Sequence, residues 1–593
     1  MKKYEKLTSD QNLEIIKKLE SKKKYGLIWE EEKNKEIFEK LSINSLPILE
    51  RIKSNCITTS KKEPVNILIE GDNFHSLSCL NYTHKNKIDL IYIDPPYNTG
   101  NKDFIYNDKW VEKDDSYRHS KWLSFISKRL TLAKNLLLDD GAIVISIDIN
   151  EMSQLKLLCD KIFGEKNLVS LITVKVKDPA GVGQESYLFD VSEYCLIYAK
   201  KIDYFKKTYN DLPQENLLIN DKENFIQEHK SYKYFISKYG KSNKIKIIDR
   251  QNVGKISIHK NINYELKKTK DLSYKEIIDQ KNNIFADYNP SGGMIKAIIN
   301  EIPEKGLSYI EYTPTKGRSK NQITKVFFYN RRILAPLEHV ISIDKNKIVK
   351  KTKMSNIWNV SNSSLHLEGN VSFDNGKKPI NLIKKIIKLF PKKNLKILDF
   401  FAGSGTTGEA ILSLNKEDGH KRSFILSNTN EEINVKSSTD KKLRICRDIT
   451  FKRLKNSIQG YGSNKPTNGN LNYYKCSFVA KSLNKDELKI KISNKVYDML
   501  CMHEEIYNEV LSNKKFKIFK NEDKILAIFF SIDYDDLKIL KNKLKDYNLK
   551  KILYVFTLDP LGIDMHDFRD WKDIEIKPIP QKIIDIYNTI YVN

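Results

Sequence analysis

An acid, two prolines and an aromatic ring follow an apolar run in Ile88-Asp89-Leu90-Ile91-Tyr92-Ile93-Asp94-Pro95-Pro96-Tyr97-Asn98-Thr99-Gly100. The β-branched run reads as a buried strand, and the prolines as a stiff loop that ends it. Each proline fixes φ and lacks an amide hydrogen, which leaves the carbonyl of Pro95 to accept from a ligand. An exocyclic NH2 group has two hydrogens. One oxygen of Asp94 and that carbonyl suit the pair, and Tyr97 suits stacking on a flat base. The same four residues also fit a plain turn after a strand, with Asp94 capping a helix.

A second strand, loop and helix start occurs about 300 residues later, in Asn394-Leu395-Lys396-Ile397-Leu398-Asp399-Phe400-Phe401-Ala402-Gly403-Ser404-Gly405-Thr406-Thr407-Gly408. Gly403 and Gly405 permit close backbone approach to a ligand at the carboxyl end of a strand, the binding edge of open α/β sheets. The loop lacks the third glycine of a dinucleotide fingerprint and the Lys-Ser/Thr pair of a phosphate loop. Further on, Arg422-Ser423-Phe424-Ile425-Leu426-Ser427-Asn428-Thr429-Asn430-Glu431 reads as a strand ending near an acid able to take both ribose hydroxyls. Glu431 is the choice, with Glu432 beside it as the alternative.

Together the Asp-Pro-Pro-Tyr and Phe-x-Gly-x-Gly motifs resemble the amino-group DNA methyltransferases, in the permuted β-class order with the catalytic motif first. Glu70-Gly71-Asp72-Asn73, Asp94 to Asn101, Asp139-Asp140-Gly141, Ser146-Ile147-Asp148 and Leu398 to Thr407 sharpen the likeness to the modification subunit of type III restriction-modification systems. The resemblance implies an α/β fold: a doubly wound, Rossmann-like sheet in permuted order, with an inserted target-recognition domain and a C-terminal α/β domain. It implies S-adenosylmethionine as cofactor and N6 of a flipped adenine in double-stranded DNA as substrate. Asp94, Pro95, Pro96 and Tyr97 are then catalytic. Cofactor binding falls to Asp72 (adenine amine), Asp94, Lys378 and Asp399 (methionine end), Phe401, Ala402, Gly403, Ser404, Gly405, Thr406 and Glu431 (ribose). Asp72 suits a helix cap nearly as well. Implied partners are a second copy, giving a homodimer through the carboxyl-terminal region, and a separate translocase-nuclease restriction subunit. Cytosine-N4 methylation, RNA methylation and a non-catalytic DNA-specificity subunit are the competing readings.

These motifs need a large scaffold, and 593 residues supply three to five units of about 100 to 200 residues. Lys+Arg 103 against Asp+Glu 76 leaves a net charge of +27, which favours a polyanionic partner, although an AT-rich genome also supplies lysine. Seven scattered cysteines without a C-x-x-C pair point to buried thiols rather than disulfides or zinc, and no metal site is expected. No apolar leader follows Met1-Lys2-Lys3 and no run approaches 18 apolar residues, so a cytoplasmic protein without a membrane span is expected.

Along the chain, residues 1–60 carry helical spacing (Leu13, Ile16, Leu19, Ile37, Leu41, Ile48, Ile52) and read as a helical extension. Residues 61–200 hold the catalytic half, with strands at 66–70, 88–93, 142–147, 168–174 and 194–199, the last antiparallel by family analogy. Helices are expected at 116–138 and 151–163, and the loop Asp178 to Gly183 is either a border of the base pocket or a plain connection. Residues 201–370 mix basic and aromatic residues, as in Tyr232-Lys233-Tyr234, Lys316-Gly317-Arg318 and Arg331-Arg332, without clean periodicity, and suit DNA target recognition. The cofactor half spans 371–460, opening with an amphipathic helix after Lys378-Pro379. A turn-rich linker then leads to a C-terminal domain over 461–593, with helices at 486–511 and 536–546 and strands at 525–530 and 552–558.

Overall fold

The computed structural model describes Trp29, Leu41 and residues 44–591, apart from 101–103, 107–108, 178–187, 189, 210–213, 220, 251–253, 315–321, 345–346, 361–364, 374–375, 435–441, 483, 494, 532, 560–562, 564–567, 570, 572 and 580. The loop at Asp178–Gly183, the triplet Lys316-Gly317-Arg318, Asn101, and Leu13, Ile16, Leu19 and Ile37 lie outside the described residues. Two compact units divide the chain: Leu212–Met354, and the residues on either side of it.

The larger unit is built on a ten-stranded sheet. Its strands are β1 (Ser45–Arg51), β2 (Val65–Glu70), β3 (Ile88–Ile93), β4 (Leu137–Ile147), β5 (Leu168–Lys175), β6 (Ser192–Ala199), β7 (Ile357–Asn359), β8 (Lys396–Asp399), β9 (Ser423–Asn428) and β10 (Asn470–Ala480). The order is β1-β10-β2-β9-β8-β3-β4-β6-β5-β7. From β10 through β4 the neighbours run parallel, and β6 is antiparallel to β4 as expected. Parallel strands covered on both faces must be apolar throughout, and all six residues of β3 are buried. Truncating Ile91 or Ile93 to Ala there would cost about 2–5 kcal/mol.

Helices cover both faces: α1 (Asn73–Thr83), α2 (Arg118–Leu136), α3 (Met152–Phe163), α4 (Ile380–Lys388), α5 (Thr406–Asp418) and α6 (Phe451–Gln459). Asp72 caps α1, its Oδ1 accepting from the Phe74 amide at 2.8 Å. Since β2, β9, β8 and β3 are parallel neighbours, their carboxyl ends open on one rim. Leu398 of β8 sits in register with Ile91 of β3, which brings the strand ends at Asp399 and Asp94 side by side although 305 residues separate them in the chain.

Several expected boundaries fail for physical reasons. The helical reading of residues 1–60 breaks at Ser45, because Leu46, Pro47, Ile48 and Leu49 are buried consecutively as an edge strand, where a proline is tolerated. The break at 461 is internal to the sheet: the turn through Gly460 (φ +90°) feeds β10, which pairs parallel with β2 and antiparallel with β1. The insertion is shorter than 201–370. The helix Ile202–Thr208 packs on β4, and β7 pairs with β5. The helix expected over 486–511 is two helices, Lys485–Ser493 and Tyr497–Glu504, followed by a strand, Asn508–Ser512. That strand opens a five-stranded sheet which continues through Phe516–Lys520, Lys524–Phe529, Lys550–Phe556 and Ile574–Ile579.

The unit Leu212–Met354 is a β structure. An eight-stranded antiparallel sheet, with edges at Lys241–Arg250 and Glu265–Lys268, encloses Ile256, Ile258, Ile310 and Phe328 on one side. A three-stranded sheet (Gln214–Ile219, Ile341–Asp344, Lys347–Lys353) completes it. The edge strand Lys241–Arg250 is exposed over its first seven residues, which explains why its sequence carries no two-residue alternation.

Candidate active site

At the end of β3 the loop is pinned from beneath. The Trp122 indole of α2 donates to the Pro96 carbonyl at 2.7 Å. Asn98 takes left-handed backbone (φ +59°), and its Nδ2 donates to Glu151 Oε1 at 2.6 Å and to the Arg118 carbonyl at 3.2 Å. Among the described residues no donor takes the carbonyl of Pro95, which remains the open acceptor of the loop.

Four side chains meet above the loop. Tyr97 Oη lies 2.8 Å from Asp94 Oδ1 and 3.1 Å from Glu193 Oε2. Lys378 Nζ donates to Tyr97 Oη and Glu193 Oε2, both at 2.6 Å, and stands 3.4 Å from Asp94 Oδ1. The same ammonium lies 4.6 Å from the Tyr97 ring centroid, so one ring face already carries a cation. Burial pushes the Asp94 carboxyl up to about 6; Lys378 pulls it down and Glu193 pushes it up. Burial also acts against the charge on Lys378, but Asp94 and Glu193 outweigh it and hold its pKa above the ordinary lysine value.

The glycine loop begins at Asp399, whose Oδ1 accepts from the Phe401 amide at 3.0 Å and whose Oδ2 accepts from the Thr407 hydroxyl at 2.6 Å. Burial pushes this carboxyl up to about 7. Gly403 (φ +49°) is open on its outer side, since an added Cβ would meet only the Phe401 carbonyl at 3.9 Å. Gly405 (φ +85°) faces inward, where a Cβ would sit 3.2 Å from Thr450 Cγ2. The Gly403 carbonyl is fixed by Asn428 Nδ2 at 2.8 Å and the Thr450 hydroxyl at 2.7 Å. Ala402 is buried, with its carbonyl accepting from the Gly405 amide at 2.7 Å.

Two expected cofactor residues turn out differently. The hydroxyls of Ser404 and Thr406 point back into the core, each accepting from Arg453 Nη1 at 2.8 and 2.7 Å, so their part in any ligand contact is through the backbone. Asp72 does cap α1, and its other oxygen lies 3.4 Å from Arg129 Nη2; the carboxylate is 34% exposed and sits on the same rim. Glu432 faces Lys442 and Arg444 in a hairpin, whereas Glu431 is exposed just past the end of β9.

The sequence reading missed Glu193, Trp122, Glu151 and Arg453. Glu151 is fully buried beneath Asn98, and burial pushes it up to about 8. Of the four, Arg453 left a legible trace: it occupies the inward stripe of α6 together with Leu454, Ser457 and Ile458, where an apolar residue belongs.

A donor set of this kind suits S-adenosylmethionine. An open glycine at Gly403 and a part-exposed rim carboxylate at Asp72 match a purine nucleoside, while Asp399, with both oxygens taken within the loop, holds that loop in shape.

The DNA methylase family model N6_N4_Mtase matches residues 88–450, from the start of β3 to the end of the turn preceding α6. A protein named "Probable type III restriction-modification enzyme HindVI Mod subunit", from Haemophilus influenzae, is 31% identical over 380 residues, covering 59% of this chain and 48% of that protein. The chain therefore spans about half the length of that relative. The type III restriction-modification enzyme EcoP15I Mod subunit of Escherichia coli is 28% identical over 551 residues, 84% of this chain and 79% of that one. The type II methyltransferase M.KpnI of Klebsiella pneumoniae is 32% identical over 405 residues, 65% of this chain and 85% of that one. The matched span takes in both loops that share the rim, and the chain belongs to the DNA methylase family.

Proposed function

We propose that the chain transfers a methyl group from S-adenosylmethionine to the N6 amine of an adenine flipped out of double-stranded DNA, as the modification subunit of a type III restriction-modification system. The observation that carries this reading is the pairing of Asp94 with the open Pro95 carbonyl on the rim that also holds Gly403.

The amine of adenine is a poor nucleophile because its lone pair is delocalised into the ring. Asp94 accepts from one amine hydrogen and the Pro95 carbonyl from the other, which draws the nitrogen toward tetrahedral geometry and turns its lone pair outward. Bound S-adenosylmethionine supplies the sulfonium methyl. Prior deprotonation of so weak an acid is not required. The proton leaves once the nitrogen carries positive charge, and Asp94, ionised above about pH 6, stands ready to accept it. Tyr97 stacks on the base through the ring face that Lys378 leaves uncovered. Phe401, Ala402, Gly403, Ser404, Gly405 and Thr406 line the cofactor with their backbone, Asp399 and Lys378 lie toward its methionine end, Asp72 takes its adenine amine and Glu431 its ribose.

The unit Leu212–Met354 is assigned to target recognition and the C-terminal sheet to self-association as a homodimer. Relatives named as Mod subunits support a separate restriction subunit as partner. Incubating the purified chain with methyl-labelled cofactor and unmethylated duplex DNA, followed by nucleoside mass spectrometry, tests the reading. N6-methyladenine is expected; label in N4-methylcytosine, or none, overturns it.

A further inference from the structure

Behind the glycine loop lies a buried ionic hub centred on Arg453, a residue outside the expected motifs. Arg453 of α6 is fully buried, and its guanidinium fans out in three directions. Nε donates to Glu409 Oε2 of α5 at 2.6 Å. Nη1 donates to the hydroxyls of Ser404 and Thr406, so this one nitrogen ties the cofactor loop to α6. Nη2 has no hydrogen-bond acceptor among the described residues and faces Glu368 Oε2 at 3.5 Å.

Glu368 continues the chain of contacts toward the catalytic loop. Its carboxylate accepts from the Ile380 amide at 3.1 Å, at the first turn of α4, and its carbonyl accepts from Lys377 Nζ at 2.5 Å. Those two contacts bracket Lys378, which reaches Asp94 and Tyr97. The segment is also clamped by shape. Gly369 (φ +71°) lies against Arg453, where a Cβ would sit 2.5 Å from its Cγ, and the Gly369 amide donates to Tyr461 Oη at 2.9 Å. Tyr461 in turn donates to Glu409 at 2.5 Å, which closes the ring of contacts.

A buried arginine costs several kcal/mol unless every branch is matched, and its planar fork holds partners on opposite sides of the guanidinium in a fixed geometry that the single, shorter-reaching nitrogen of a lysine does not reproduce. The guanidinium joins Ser404 and Thr406 on one side to Glu368 on the other directly, and the Gly369–Tyr461–Glu409 contacts run alongside it. We infer that Arg453 is a positioning residue: it locks the cofactor loop to the segment that delivers Lys378, so that cofactor and acceptor amine are held in register by a side chain that touches neither. The inference rests on the proposed cofactor site at the glycine loop.

The test uses the full chain with Arg453→Lys, Glu368→Ala and the double variant Ser404→Ala/Thr406→Val. Binding of S-adenosylmethionine is measured by titration calorimetry, and kcat against pH on duplex DNA with labelled cofactor. Arg453→Lys is expected to weaken cofactor binding about tenfold or more and to raise the acid limb of the kcat profile. Glu368→Ala should raise the limb by about one pH unit while leaving cofactor affinity within about twofold. The hydroxyl double variant should weaken binding and leave the limb in place. Should Arg453→Lys fail to fold, the other two variants read the two branches separately. Wild-type affinity and profile in Arg453→Lys, or a drop in melting temperature with both readouts unmoved, overturns the inference. It fails equally if the other two variants do not separate the readouts. A wild-type chain that neither binds the cofactor nor methylates overturns the proposed function instead.

Discussion

Replacing Lys378 by Met should move the acid limb of the methyl-transfer pH profile upward by about 1–3 pH units. Lys378 Nζ lies 3.4 Å from Asp94 Oδ1, and the two side chains are 11% and 18% exposed. At an effective dielectric of about 20 such a pair is worth about 5 kcal/mol, an upper bound of about 3.5 pKa units at 1.36 kcal/mol each. Relaxation and the water at the rim reduce this to the range of about 1–3 units common for an opposite charge at this distance. Removing the ammonium also leaves Glu193 facing Asp94 without a counterion, which pushes in the same direction. Asp94 starts from about 6, so its carboxyl in the variant should titrate between about 7 and 9. The sign is then fixed: the protonated acid neither offers a negative charge to the nitrogen as it becomes cationic nor takes up its proton, so activity falls as pH drops through that value and returns as it rises above it. At pH 7 the loss is about twofold at the low end and about a hundredfold at the high end. Methyl transfer to duplex DNA measured from pH 5.5 to 9.5 at saturating cofactor reads the acid limb directly. Coincident limbs for wild type and Lys378→Met would falsify the electrostatic role; a uniform loss at every pH would assign Lys378 to binding alone.

Asp94→Ala should abolish methylation while S-adenosylmethionine binds within a fewfold of wild type, as calorimetry would show; retained turnover refutes the assignment. Trp122→Phe removes the donor to the Pro96 carbonyl inside a packed site and should cost about 1–3 kcal/mol of stability together with a lower kcat, read from denaturant unfolding and initial rates. Gly403→Ala and Gly405→Ala should part company. Both pay the left-handed backbone penalty of an alanine; the first otherwise fills only open space and should chiefly raise the KM for the cofactor, whereas the second adds a tight contact with Thr450 and should lower the melting temperature further. Equal effects on both measurements would contradict the different orientation of the two glycines.

What is legible in the chain is whatever is encoded within a dozen residues. The strand at 88–93 and its loop, the glycine loop, and the helices near 118–136 and 152–163 announce themselves by apolar runs, prolines and 3.6-residue spacing. Glu193 is not legible in this way: it meets Tyr97 across 96 residues and Lys378 across 185, and nothing near it in the chain distinguishes it from a surface acid. Ser45–Arg51 mimics a helix because Ile48 and Ile52 have helical spacing, although Pro47 argues against one. The turn at 460–469 resembles a linker because a helix-to-strand connection within a domain and a domain boundary use the same glycines, asparagines and prolines.

The separation of the two motifs in the chain has no counterpart at the rim, and the topology explains why. A parallel sheet orders its strands by hydrogen bonding, so β8 can insert between β9 and β3 whichever comes first in the chain. What permutation cannot supply is the fine placement of two loops that no short connection ties together. That placement falls to side chains reaching between the halves, Asn73 Nδ2 to the Phe400 carbonyl and Lys378 to Tyr97, while Arg453 braces the glycine loop from behind through Ser404 and Thr406. The motifs carry the chemistry and these buried polar contacts carry the geometry; of the side chains at the junction, Lys378 is marked by its motif, whereas Glu193, which meets both Tyr97 and Lys378, is marked by nothing near it in the chain.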